Sequence, residues 1–176
     1  RAFFAQQQVI STKGHRARER FGAGGIVQEA MNGFPSLFDE ALPANLEATR
    51  RHGCHSIASF AMMGRLMQKV EDPTSLHRCG SLGLARIRRD GRRLEEMIKA
   101  GEDYRPFLQA INREYIRMNL TMGGVADMMG LSYACLIASG AMDVDYSFID
   151  EHINPAFSQD LTISDTRDQV ILDQLK

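Results

Sequence analysis

Leu82-Gly83-Leu84-Ala85-Arg86-Ile87-Arg88-Arg89-Asp90-Gly91-Arg92-Arg93-Leu94-Glu95-Glu96-Met97-Ile98-Lys99-Ala100 is the stretch whose reading decides the fold. Its apolar residues recur at helical spacing, so Leu82, Ile87, Leu94, Met97 and Ile98 are expected to line one buried face. Arg86, Arg88, Arg89, Arg92 and Arg93 then fall mostly on the other side. The spacing predicts an amphipathic core helix. Working outward, further helical blocks are expected over 2–11, 14–21, 26–31, 36–52, 56–70, 104–118 and 124–139. Gly53 and Gly101 are placed as helix stops, and Asp103 can cap the block that begins at Tyr104. No block alternates apolar and polar residues as a strand would, so the expected class is all-α, a compact multi-helix domain.

Composition narrows the function. The 176 residues are 44% hydrophobic and 24% charged, the balance of one ordinary globular domain. A net charge of -1 speaks against nucleic acid or an anionic membrane surface as partner. Seventeen of the 21 basic residues are arginine, whose planar fork matches carboxylate and phosphate. Cys54, Cys79 and Cys135 form a poor disulfide framework, which fits a reducing, cytoplasmic setting. The most apolar run, Met118 to Met142, is broken by Asn119, Asp127 and four glycines and falls short of a membrane span. The first residues read as the middle of a helix and Arg1 is not a methionine, so residues upstream are expected. Residues 1–143 are expected to form the helical domain, and the polar segment 144–176 an arm or tail.

Three segments combine glycine with a carboxylate or arginine at expected helix ends. In Gly22-Ala23-Gly24-Gly25-Ile26-Val27-Gln28-Glu29-Ala30-Met31-Asn32-Gly33-Phe34-Pro35, a glycine-rich turn offers backbone N–H groups to an anion, or is an ordinary connection. In Glu71-Asp72-Pro73-Thr74-Ser75-Leu76-His77-Arg78-Cys79-Gly80, read as a loop, Arg78 can clamp phosphate and Asp72 can hold a divalent cation. Alternatively Asp72 caps a turn and Arg78 pairs with it. In Asn119-Leu120-Thr121-Met122-Gly123-Gly124-Val125-Ala126-Asp127, Thr121 is a candidate cap, and Asp127 is expected to be partly buried beside Met128, Met129 and Leu131. The cluster Arg51-His52-Gly53-Cys54-His55 lacks a second Cys or His pair at a spacing that closes a zinc site.

Taken in order, the three segments resemble the triphosphoribosyl-dephospho-CoA synthase family over roughly residues 11–142, its C-terminal half. The family pattern G-x-x-G-A-R-G-E-A-x-x-G-[FY]-P followed by A-L-P is similar to Gly22, Gly25, Glu29, Ala30, Gly33, Phe34 and Pro35, then Ala41-Leu42-Pro43. D-T-N-x-x-x-R-G-G is matched by Asp72, Arg78 and Gly80, and N-L-S-P-G-G-S-A-D-L-L by Asn119, Leu120, Gly123, Gly124, Ala126 and Asp127. Val27 and Gln28 stand where the family carries Arg-Gly, Pro73 and Thr74 where it carries Thr-Asn, and Cys79, Met122 and Val125 also depart from it. The family's N-terminal half, with its Pro-Gly-Leu-Val and Thr-His-Lys-Gly segments, has no counterpart here.

The resemblance implies a transferase that joins ATP and 3'-dephospho-CoA into 2'-(5''-triphosphoribosyl)-3'-dephospho-CoA and releases adenine. It also implies Mg²⁺ arriving with ATP. Asp72 and Asp127 are then candidates for metal or ribose contacts and, with Glu29 as base or second cation ligand, for catalysis. Arg78, Asn119 and Gly25 are candidates for substrate binding, as are Gly123 and Gly124 through their backbone. A second chain or upstream half is a possible partner. The rival reading is a helical nucleotide-binding or assembly protein that kept the fold and lost the chemistry.

Overall fold

A computed structural model describes Arg16 and residues 19–142 of the chain. Segment 144–176 and the block expected over 2–11 lie outside the described residues, as does half of that expected over 14–21. Among the described residues the order is α1 (Gly25–Met31), a π-helical turn (Ser36–Ala41), α2 (Leu42–His52), α3 (His55–Lys69), α4 (Pro73–Ala100), α5 (Arg105–Met118) and α6 (Gly123–Ala138). The all-α expectation therefore holds. None of these helices is long and apolar enough to cross a membrane.

The punctuation works as the residue types require. Gly53 and Gly101 end α2 and α4 in the left-handed conformation, at φ 59° and 71°. Asp103 accepts the Arg105 backbone N–H at 3.2 Å beside the start of α5. The block expected over 36–52 is helical throughout, but its first turn is wound as a π-helix that runs directly into α2.

The centre of the fold is the packing of α3 on α4. Gly64 and Gly91 let the two backbones approach: a Cβ on Gly91 would lie 2.7 Å from the Gly64 carbonyl oxygen and 2.5 Å from Met67 Cβ. Around this contact Met62, Leu66, Met67 and Ile87 are fully buried, and Val125, Met128 and Leu136 of α6 close the same core. Leu94 and Ile98 instead pack with Ala58 and Ala61 in a second cluster under α2 and α5. Arg65 of α3 pins the arrangement by pairing with Glu40 of the π-helical turn and Glu95 of α4.

The decisive stretch ends at Ala100 as expected and departs from expectation at its start. Helix α4 starts nine residues earlier than predicted, at Pro73, and is broken at Gly80, whose φ of 64° and ψ of -164° are not helical. Ile87, Leu94, Met97 and Ile98 are buried as expected, whereas Leu82 is 83% exposed. Five helical residues turn the chain by about 500°, so Leu82 sits well off the Ile87 face. Gly83, Leu84, Asp90 and Gly91 take the inward positions.

Candidate functional site

The start of α4 is built around one carboxylate. Val70 leaves α3 in an extended conformation, and Asp72 follows with φ -89° and ψ 103°, the geometry of a residue flanking a helix N-terminus. Its Oδ1 accepts the backbone N–H groups of Thr74 at 2.8 Å and Ser75 at 3.1 Å. Its Oδ2 accepts those of Gly124 at 2.8 Å and Val125 at 3.4 Å, on the first turn of α6. One side chain thus caps two helices, and the positive ends of both dipoles converge on its charge. Asp72 is completely buried, an environment a carboxylate tolerates because its oxygens are hydrogen-bonded.

Glycines allow this closeness. A Cβ on Gly123 would lie 2.8 Å from Thr74 Oγ1, and one on Gly124 would crowd Val70 and Asp72 at 3.3 and 3.4 Å. The first segment docks on the same spot. Gly25 opens α1 at φ 57°, where a Cβ would sit 2.4 Å from Pro73 Cγ, and the Gly24 N–H donates to Glu71 Oε2 at 3.2 Å. The three segments, far apart in sequence, therefore meet at the N-terminus of α4.

The remaining candidate residues fall into two groups. On the exposed side, Arg78 donates to the side-chain oxygen of Asn119, which ends α5 in the left-handed conformation at φ 53°. Cys79 Sγ contacts the Met118 carbonyl at 3.2 Å beside it. Asp127 is exposed, one turn into α6 on the face of Gly123, and makes no hydrogen bond or ion pair among the described residues. Glu29, in contrast, spends its carboxylate on Ser36, accepting from Ser36 Oγ at 2.6 Å and Ser36 N–H at 3.1 Å, and so anchors the π-helical turn. Between them Phe34 holds φ 57° immediately before Pro35, a strained conformation for a bulky residue, with its N–H bonded to the Glu29 carbonyl at 2.7 Å.

Four expectations are corrected here. The segment read as a loop between two helices is, from Pro73 on, the first turns of α4, because Asp72 and Pro73 together form a helix start. Arg78 pairs with Asn119 rather than with Asp72, whose oxygens already accept four backbone N–H groups. Thr121 does not cap α6; its hydroxyl is buried without a hydrogen-bond partner, and Asp72 supplies the cap. Asp127 is exposed rather than partly buried, since Met128 faces the core and turns its neighbour outward. Glu71 and Thr74 also belong to the junction and carry no signal in sequence beyond their proximity to Asp72.

Away from the junction, the half-buried Glu95 and the buried Asp90 also join the helices. Burial pushes the Glu95 carboxyl up, but hydrogen bonds from Arg65, Lys99 and Gln68 outweigh this and hold it at about 2. Asp90, buried in the middle of α4, accepts from Arg86 Nε, Arg89 Nε and the Tyr115 hydroxyl, the last at 3.0 Å. Burial, then the neighbouring Asp90 charge, pushes the Tyr115 phenol well above its usual range.

Fold and junction define a class: an all-helical protein that gathers glycine-lined helix ends around a buried aspartate, with arginine, asparagine and a second aspartate on the accessible side. The chain belongs to the ATP:dephospho-CoA triphosphoribosyl transferase family, whose pattern matches residues 4–145. A Pseudomonas aeruginosa (strain UCBPP-PA14) protein named probable 2-(5''-triphosphoribosyl)-3'-dephosphocoenzyme-A synthase is 32% identical over 132 residues, 73% of this chain and 43% of its own. Relatives of the same name from Streptococcus equi subsp. zooepidemicus (strain MGCS10565) and Azotobacter vinelandii are 31% and 32% identical over 69% and 68% of this chain, each covered for 41% of its own length. The chain thus spans about two fifths of the length of the curated relatives it matches. No solved structure matches it significantly.

Proposed function

We propose that this chain carries part of the active site of a transferase that joins ATP to 3'-dephospho-CoA, forming 2'-(5''-triphosphoribosyl)-3'-dephospho-CoA and releasing adenine. The observation that carries the reading is the convergence of the three family segments on Asp72, with hydrogen bonds from Gly24 to Glu71 and from Gly124 to Asp72. In the reaction the ribose–adenine bond breaks, the ribose passes through an oxocarbenium-like state, and the 2'-hydroxyl of the CoA moiety attacks it. The proton lost by that hydroxyl balances the one adenine takes up on leaving. Groups are required to hold the triphosphate, to stabilise the developing positive charge and to accept the hydroxyl proton.

Arg78, exposed and oriented by Asn119, is assigned to phosphate. Asp127 is assigned to the ribose or to accepting the proton. Asp72 is a positioning residue: its charge is consumed by backbone amides, and it sets the spacing between the α4 and α6 ends that present Arg78 and Asp127. Glu29 likewise acts through Ser36. Among the described residues no three His, Cys, Asp or Glu side chains are placed to share a metal ion. Mg²⁺ ordinarily needs only one or two protein carboxylates when phosphates supply its other ligands. Asp127 fits that requirement for Mg²⁺ arriving with ATP.

The test is chromatographic detection of adenine from the intact natural protein with ATP, Mg²⁺ and dephospho-CoA. Adenine release that requires dephospho-CoA, and that falls at least about tenfold in Arg78→Ala and Asp127→Asn, is the expected result, since a charge-assisted contact contributes roughly this much. Absence of release, with no heat on titrating either substrate, overturns the reading and leaves a helical binding protein.

A further inference from the structure

We propose that the hollow between α4 and α5 is a second anion site, built for a polyphosphate group carried on an organic body. It is open to solvent, has a volume of about 460 Å³ and lies along residues 86–96 of α4, beyond the Gly80 break from the Asp72 junction. Arg86, Arg89, Arg92 and Arg93 form its α4 wall, and Phe107 and Ile111 face them from α5.

What makes this a site rather than a charged surface is how the guanidinium groups are held. Asp90 is only 3% exposed, and it grips Arg86 and Arg89 through their Nε atoms. Its Oδ2, which Arg86 shares, also accepts the hydroxyl of the buried Tyr115. A guanidinium held by Nε keeps its outer fork for another partner, and that fork matches two oxygens of a phosphate. Arg86 uses one fork nitrogen on Glu114, and Arg93 pairs with Glu96 and Glu102. Both fork nitrogens of Arg89 and the whole of Arg92 have no partner among the described residues. Asp90, Glu96 and Glu114 are the carboxylates of the hollow, so four guanidinium groups face three acids. Asp90 lies beneath the arginines rather than in the opening.

The apolar α5 wall sets the ligand class. Phe107 and Ile111 offer nothing to a bare inorganic anion but can cover a ring or an alkyl chain. A triphosphate on a nucleoside and the diphosphate of a CoA-like molecule share this chemistry. The site itself does not depend on the proposed transferase activity; only the choice of organic probes rests on that reading.

Isothermal titration of the full 176-residue chain with inorganic triphosphate, ATP and dephospho-CoA tests the proposal. Triphosphate is expected to bind, and Arg89→Ala/Arg92→Ala to weaken it at least tenfold. Arg50→Ala/Arg113→Ala, which removes the same charge outside the hollow, is expected to change it less than twofold. Because Arg89 touches Asp90, Arg92→Glu alone is measured too; Arg92 has no partner among the described residues to lose, and this variant is expected to weaken binding as well. ATP or dephospho-CoA is expected to bind more tightly than triphosphate in a way that Arg92→Glu weakens and Arg78→Ala does not, and whichever does names the source of the phosphate. No heat with triphosphate, or equal weakening by the two double variants, overturns the site. Organic probes no tighter than triphosphate overturn the role of the apolar wall. Adenine release by the natural protein is read separately, so failure of this site and failure of the transferase reading are distinguishable.

Discussion

Two aspartates on the same helix are buried to the same degree and solved by opposite means. Asp72, at the start of α4, gives its charge to four backbone N–H groups from two helices. Asp90, in the middle of α4, gives its charge to two arginines and a tyrosine hydroxyl. The first joins backbone to backbone and fixes where helix ends lie. The second joins side chains and fixes which way guanidinium groups point. A buried carboxylate is costly in either place, and what it stabilises depends on whether its donors are rigid amides or long side chains that also reach solvent.

That contrast is open to measurement. Asp72→Ala should have the largest effect, about 4 kcal/mol in urea unfolding followed by circular dichroism, because it removes a helix cap and strands buried amides on both α4 and α6. A loss under about 1 kcal/mol would show that water replaces the carboxylate and that the junction is not rigid. Acid is next. The folded Glu95 carboxyl is depressed from 4.5 to about 2, so its contribution is complete above pH 4.5 and is lost as pH falls toward 2. The loss amounts to at most about 3 kcal/mol. Glu95→Gln should flatten that acid limb, and an unchanged limb would move the dependence to another carboxylate. Asp90→Ala should cost about 2 kcal/mol, less than Asp72→Ala, because Arg89 is 67% exposed and water can take over its Nε. Tyr115→Phe should cost about 1 kcal/mol, the value of one hydrogen bond. A larger loss there than in Asp90→Ala would mean that the Tyr115 hydroxyl has a role beyond its bond to the carboxylate.

Much of the fold was legible because it is local. The helical class, the Gly53 and Gly101 stops and the inward set Ile87, Leu94, Met97 and Ile98 follow from spacing and conformational preference. Leu82 failed because an apolar side chain was assigned to the core by its chemistry when its angular position puts it outside. Asp90 carries no sequence signal of its burial: a charge in an arginine run reads as surface, yet it is the residue beneath them. The Asp72-Pro73 helix start was legible as a cap and was masked by the glycine and arginine that follow, which suggested a loop.

The sequence by itself determined that the chain is helical, which residues carry the family pattern, and that glycine, carboxylate and arginine meet at helix ends, since each depends on neighbours within a turn or two. Only the tertiary structure decided that Asp72 caps α6 as well as α4, that Arg78 is held by Asn119, and that Asp127 is left exposed. The physical reason is that these partners lie 41 and 52 residues apart in the chain. No local rule selects among the donors that burial could bring to one carboxylate. The packing of α3 on α4 through Gly64 and Gly91, and of α6 on both, makes that selection.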